Sequence, residues 1–183
     1  PNQDVLEDSG TQTVPGWAGA ISPGPADESG QAVTLNLTND NNALFSAQPA
    51  VDGAGNLTYT PAADANGLAT VTIEAMDNGG TANGGVDTSA PQMFTINITP
   101  VNDPPSFSLG PDQSADEDSG PQTVPGYATG ISPGPADESG QVVTFNLTND
   151  NNALFDVQPA MDATTGNLTY TPADDASGSA VVM

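Results

Sequence analysis

The sequence predicts an all-β protein built as tandem sandwiches, with about seven short strands to a module. Three observations predict it. Apolar and polar residues alternate with period two in run after run. The runs are separated by clusters of Gly, Pro, Asn and Asp. The whole pattern then returns once along the 183 residues. Period-two alternation marks a strand with one dry face, and the separating residues supply the backbone conformations that reverse a chain. No stretch keeps helical spacing, because Pro or Gly interrupts every candidate.

The repeat sets the domain plan. Glu7-Asp8-Ser9-Gly10 returns as Glu117-Asp118-Ser119-Gly120, and residues 21–45 return as 131–155 with 23 of 25 positions identical. The offset is 110 residues, and it becomes 111 at Asn167-Leu168-Thr169-Tyr170, which repeats Asn56-Leu57-Thr58-Tyr59. The extra residue lies in the loop 161–166. A period of this length fits a whole domain rather than one turn of a solenoid. The expected domains are 1–103 and 104–183, the second incomplete and lacking its last strands. Pro1 at the start and the near-identity of the copies read as a piece of a longer array.

The expected strands follow in order near 11–14, 16–21, 32–38, 43–48, 56–60, 69–76 and 92–99. Val33, Leu35 and Leu37 alternate with Thr34, Asn36 and Thr38, and the second copy keeps this with Val143, Phe145 and Leu147. Leu57 and Tyr59 alternate with Thr58 and Thr60. Val71, Ile73 and Ala75 alternate with Thr70, Thr72 and Glu74, and Phe94, Ile96 and Ile98 with Thr95, Asn97 and Thr99. Asn39-Asp40-Asn41-Asn42, Asp52-Gly53-Ala54-Gly55 and the Gly-rich stretch 78–85 are the turns and loops between them. Seven short antiparallel strands in about 100 residues fit an immunoglobulin-like β-sandwich. Trp17, repeated as Tyr127, is the expected core aromatic.

Composition bounds the chemistry. There are 18 Asp and 5 Glu but no Lys, Arg, His or Cys, for a formal charge of −23. Nucleic-acid binding is excluded, since no cation is present to meet phosphate. No apolar run approaches the roughly 20 residues of a membrane span. Catalytic Ser–His and Cys–His arrangements cannot be built. Paired carboxylates could serve a hydrolase, but no pocket-forming insertion accompanies them, and the chain reads as no enzyme. Disulfides and thiolate metal sites are also excluded. The remaining ligand chemistry is oxygen: 18 Asp and 16 Asn, mostly in loops, suit calcium, which takes six to eight oxygen ligands. Clustered carboxylates such as Asp116-Glu117-Asp118 and Asp174-Asp175 repel one another without a cation. Acids of this kind also simply solvate a surface, which is the competing reading.

At the module boundary the residues resemble a known family. Val71-Thr72-Ile73-Glu74-Ala75-Met76-Asp77-Asn78-Gly79 is followed by Phe94-Thr95-Ile96-Asn97-Ile98-Thr99-Pro100-Val101-Asn102-Asp103-Pro104-Pro105. This is similar to the end of a cadherin-like repeat of large bacterial surface proteins: a strand closing in Ala-x-Asp-x-Gly, then a strand running into an Asn-Asp-Pro linker. The resemblance implies calcium between consecutive modules. Carried over residue by residue, it implies Glu7 and its copy Glu117 as the early acidic ligand and Asp64 near the mid-module motif. It implies Asn102 and Asp103 in the linker, and Asp137, Glu138 and Asp77 as acidic positions of a module that follows a linker. Pro100 and Pro104 stand where the family has an Asp and an Asn, so one or two ions are expected rather than three.

The expected function is a structural repeat of an extracellular fibre or adhesin stalk, with neighbouring copies of the same repeat as partners. Two alternatives stand beside it. One is a surface module that binds carbohydrate or another protein. The other is a self-polymerising filament subunit completed by a strand from a neighbouring copy. Five Asn-x-Ser/Thr triplets occur, at Asn36, Asn56, Asn97, Asn146 and Asn167. Their alternation is expected to turn each Asn outward.

Overall fold

The alternating runs of the first repeat fold into two sheets. A computed structural model describes residues 1–183, which divide into the units Pro1–Val101 and Asn102–Met183. The first unit contains β1 (Gln3–Leu6), β2 (Gln12–Val14), β3 (Val33–Asn39), β4 (Phe45–Val51), β5 (Leu57–Pro61), β6 (Gly67–Asp77) and β7 (Gln92–Thr99). One sheet has the order β1-β7-β6-β3 and the other β2-β5-β4. The only helical pieces in the chain are three-residue 3-10 turns. No helix is long and apolar enough to cross a membrane.

The core is what the period-two pattern dictates. β3 pairs antiparallel with β6 from Val33↔Asp77 to Asn39↔Val71, and β6 with β7 from Gly67↔Ile98 to Ile73↔Gln92. Ala69, Val71, Phe94, Ile96 and Ile98 of this sheet join Leu44, Phe45, Leu57 and Tyr59 from the other side in one buried cluster. Trp17 packs against it, with its ring 4.3 Å from that of Phe94. Phe45 and Tyr59 meet edge to face at 6.1 Å, a geometry favoured by the ring quadrupoles.

Two expectations are corrected in this unit. Residues 16–21 form no strand. Gly16 (φ 63°) and Ala20 (φ 53°) are in the left-handed region, which breaks extended backbone, and Ala18 makes a single ladder-like bond, its N–H to the Gly55 carbonyl at 2.9 Å. The pairing is also not wholly antiparallel. β1, which the sequence reading missed, runs parallel to β7 with Gln3 opposite Ile96 and Leu6 opposite Thr99. Its alternation covers only four residues, too few to stand out, and its place is set by a strand more than 80 residues away in the chain.

The second unit contains β8 (Ser106–Leu109), β9 (Gln122–Val124), β10 (Ala128–Ser132), β11 (Phe155–Met161) and β12 (Leu168–Pro172). The order β11-β12-β9 repeats β4-β5-β2 of the first unit. β10 occupies the place where 16–21 is irregular in the first copy and pairs with β8. Ala128 and Leu168 are its buried apolar side chains. The stretch 143–149, which repeats β3, lies in no named strand, and only Asn149 makes a bridge, to Val182.

Candidate metal centre

The acids gather at element ends, where short side chains reach backbone amides. In the first unit, Glu7 follows β1 directly. Its N–H bonds to the Thr99 carbonyl at 3.0 Å, which carries the β1–β7 pairing one residue further. That pairing turns the side chain inward, and Glu7 is only 2% exposed. Its Oε1 accepts the Val101 N–H at 2.7 Å and its Oε2 accepts an Asn66 side-chain N–H at 3.1 Å.

The next residue, Asp8, turns left-handed (φ 58°), as does Asp64 (φ 53°). The Asp64 N–H donates to Asp8 Oδ1 at 3.2 Å, so two acidic turns meet. The second unit repeats the device: Asp175 N–H donates to Asp118 Oδ1 at 3.1 Å, again with both residues left-handed. Asp and Asn tolerate this conformation better than other side-chain-bearing residues. The sequence reading named Asp64 but passed over Asp8 and Asp118 as ligands. The signal available was the full repetition of Glu-Asp-Ser-Gly, in which the Asp recurs as faithfully as the Glu.

Glu117 differs from its copy Glu7. It is exposed.

Asp77 ends β6, at the opposite end of that strand from Gly67, and at ~3.3 Å per residue this is roughly 30 Å away. It is therefore not brought together with Glu7 and Asp64. Its Oδ1 accepts the Gly79 N–H at 2.7 Å, and its N–H donates to the Asp87 carbonyl at 2.9 Å. Asp77 and Asp87 flank a cleft of about 170 Å³ shared with Ser22, Val33, Thr88 and Ser89.

In the second unit the linker residues join the 3-10 turn 136–138. Asp103 N–H donates to Glu138 Oε1 at 2.7 Å, and Gln141 donates to Asn102 Oδ1 at 3.1 Å. Glu138 is 5% exposed, and its Oε2 accepts no hydrogen bond. That oxygen lies so close to Gly134 that a Cβ there would collide with it. Asp137 is exposed. The structure thus brings together Asn102, Asp103 and Glu138, with Asp137 adjacent in the chain.

These donor sets fit a hard cation. They are all oxygen, they include a buried carboxylate oxygen with no donor, and the chain has no Lys, Arg or His to neutralise it. Calcium would be held in the first unit by Asp8 and Asp64, whose carboxylate oxygens lie within 4.8 Å of each other, and in the second by Asp103 and Glu138 with Asn102. A bound ion would supply charge neutralisation and fix the loops it ligates.

The Asn-x-Thr sites differ in exposure and partners. Asn56 and Asn167 accept the N–H groups of Gly16 and Gly126 at 2.9 Å each, and Asn97 donates to Asp4 at 3.1 Å. Asn36 and Asn146 alone are fully exposed. Asn56 and Asn167 sit at turn exits, where a side-chain amide closes a neighbouring loop.

A scan of protein-family models finds no match to this chain, and a search of curated proteins finds none either.

Proposed function

We propose that the chain is a structural repeat of an extracellular fibre or adhesin stalk. In this reading its modules are cadherin-like, immunoglobulin-type β-sandwiches that calcium stiffens at the junctions, and its partners are neighbouring copies of the same repeat at the cell surface. The observation that carries the reading is a pair of buried carboxylates, Glu7 and Glu138, in a chain without a single basic side chain. An ionised carboxylate buried without a counter-charge is costly, and a divalent cation removes that cost. Glu7 accepts the N–H of Val101, and Glu138 that of Asp103, so an ion at either carboxylate acts on the connecting segment. Pro100, Pro104 and Pro105 restrict the same segment. The role is mechanical spacing, without catalysis. The near-identity of the two copies supports a spacer over a binding module for glycan or protein, since recognition loops usually diverge.

The test is calcium titration by calorimetry, together with thermal unfolding in calcium and in chelator. Extracellular calcium modules bind at about 0.1–1 mM. Saturation from 10 to 100 times that constant stabilises by about 1.4–2.7 kcal/mol. Glu138→Gln, which removes the charge and keeps the shape, is expected to weaken binding at least severalfold. Identical melting in chelator and in 10 mM calcium (a concentration of order ten or more times the expected constant) would sink the calcium part of the proposal.

A further inference from the structure

The chain holds three Asn-Gly pairs, Asn66-Gly67, Asn78-Gly79 and Asn83-Gly84, all in the first unit. An asparagine followed by glycine is where a chain can attack itself. Glycine has no Cβ to shield its backbone nitrogen, and its backbone freedom lets that nitrogen approach the asparagine Cγ. Whether it does so depends on what holds the two groups. Asn66 is half-buried and donates to Glu7 Oε2 at 3.1 Å, and Gly67 is built into β6 opposite Ile98. Asn78 Oδ1 accepts the Ala32 N–H at 2.9 Å, while the Gly79 N–H donates to Asp77 Oδ1 at 2.7 Å. In both pairs the side chain and the following glycine are tied down.

Asn83-Gly84 is free of such ties. Residues 78–86 are exposed, the Asn83 side chain makes no hydrogen bond within the protein, and nothing lies within 4 Å of a Cβ added at Gly84. Asn83 is left-handed at φ 56° and ψ 26°, inside a single 3-10 turn that the Gly85 N–H closes on the Ala82 carbonyl at 3.1 Å. Swinging ψ to bring the Gly84 nitrogen onto Cγ opens that short turn and no sheet, and Gly80, Gly84 and Gly85 supply the backbone freedom. We infer that Asn83 is a self-modification site whose co-reactant is water. The Gly84 amide gives up its proton to solvent as its nitrogen bonds to Asn83 Cγ. The Cγ–Nδ2 bond breaks, and the side-chain nitrogen takes a proton back from solvent and leaves as ammonia. A succinimide ring then joins the two residues. Water opens the ring at either carbonyl, giving aspartate or iso-aspartate. Either product adds a negative charge to the loop between Asp77 and Asp87, two carboxylates of one cleft, and iso-aspartate also passes the chain through an extra backbone atom. Pairing resumes at Met76↔Thr88, so the loop absorbs the change. The inference goes beyond the calcium reading and does not depend on it.

The test ages the whole chain in mildly alkaline buffer with chelator, once folded and once in concentrated urea. Cleavage before aspartate then releases residues 64–76, which hold Asn66, and residues 77–86, which hold Asn78 and Asn83. Tandem mass spectrometry assigns each conversion to its residue, and an iso-aspartate methyltransferase assay measures the branched product. In urea the three sites are expected to convert at comparable rates, because only the local pair then matters. In the folded chain Asn83 should keep close to its urea rate. Asn78 should fall behind Asn83 by about fivefold or more, the worth of one further net hydrogen bond given up. Asn66, whose conversion needs β6 to open, should fall behind by about tenfold or more. An Asn83 that stays an amide in the folded chain while it converts in urea overturns the inference. So does conversion of Asn78 or Asn66 as fast as Asn83 in the folded chain, because the fold would then select nothing.

Discussion

Two glycines in one turn, Gly53 and Gly55, predict opposite outcomes for the same substitution. Gly55 has φ 84°, and a Cβ added there would sit on the Ala18 carbonyl oxygen. An alanine in the left-handed region costs about 1–2 kcal/mol. Relieving the collision requires the turn to move, which gives up the Ala18 N–H to Gly55 carbonyl bond and the Gly55 N–H to Asp52 carbonyl bond, both 2.9 Å. Each is worth about 1 kcal/mol net. The stiffer unfolded chain returns about 0.4–1 kcal/mol, so Gly55→Ala should destabilise the first unit by about 2–3.5 kcal/mol. At about 4–8 °C per kcal/mol for a domain of this size, the melting point falls by at least 8 °C or so. Gly53 has no positive φ, and nothing lies within 4 Å of an added Cβ. Gly53→Ala should therefore be neutral, or stabilising by up to about 1 kcal/mol. Trp17, the one tryptophan of the chain, sits on Phe94 in the first unit, so its fluorescence in a denaturant titration reads that unit alone. Equal midpoints for the two variants would refute the reasoning, since both the close approach and the left-handed backbone would then be without consequence.

Ala20 is left-handed at φ 53° where the second copy has Gly130 at φ 61°. Ala20→Gly is expected to stabilise the first unit by about 0.5–1 kcal/mol and Gly130→Ala to destabilise the second by a similar amount, measured as denaturation midpoints. Ile96 is fully buried; Ile96→Ala should cost about 2–5 kcal/mol and Ile96→Val about 0.5–1.5, while Leu68→Ser, at a position 55% exposed, should change the midpoint by less than about 0.5 kcal/mol. Hydrogen bonds from the backbone and side chain of Asn56 and from the Ala54 and Gly55 N–H groups hold the Asp52 carboxyl below its ordinary 3.8. The Asp162 carboxyl is held down in the same way by the backbone and side chain of Thr165 and the Thr164 N–H. Because the folded value is the lower one, the contribution is present above pH 3.8 and is lost as pH falls below it through the folded value. Carboxyl NMR should show both midpoints under 3.8, and Asp52→Asn should remove that turn's acid response; midpoints at or above 3.8 would contradict the assignment.

Much of the architecture was legible in the residues. Val71, Phe94, Ile96 and Ile98 are buried where alternation places them, because strand geometry converts every second residue into one face whatever the partner. The absence of Lys, Arg, His and Cys was equally legible, and it leaves oxygen as the ligand chemistry of any metal site. Pairing and environment were not. β1 lies parallel to β7, a choice made by contacts between opposite ends of the unit rather than by the four residues themselves. Asn56 is half-buried and accepts the Gly16 N–H, while Asn36, in the same local pattern, stays exposed.

The Glu-Asp-Ser-Gly repeat shows the division most clearly. The sequence by itself determined that an acidic turn stands at each copy, with Asp8 and Asp118 both left-handed, because that backbone conformation is local and Asp tolerates it. The N–H that each carboxylate accepts comes from Asp64 or Asp175, far along the chain, and was decided by the fold. Whether the neighbouring glutamate is a buried, twice-bonded group or a solvated one was decided by tertiary structure. Glu7 is enclosed because β7 lies beside β1 and Val101 follows it. Burial is a property of what the rest of the chain packs against a residue, and no local pattern carries that information.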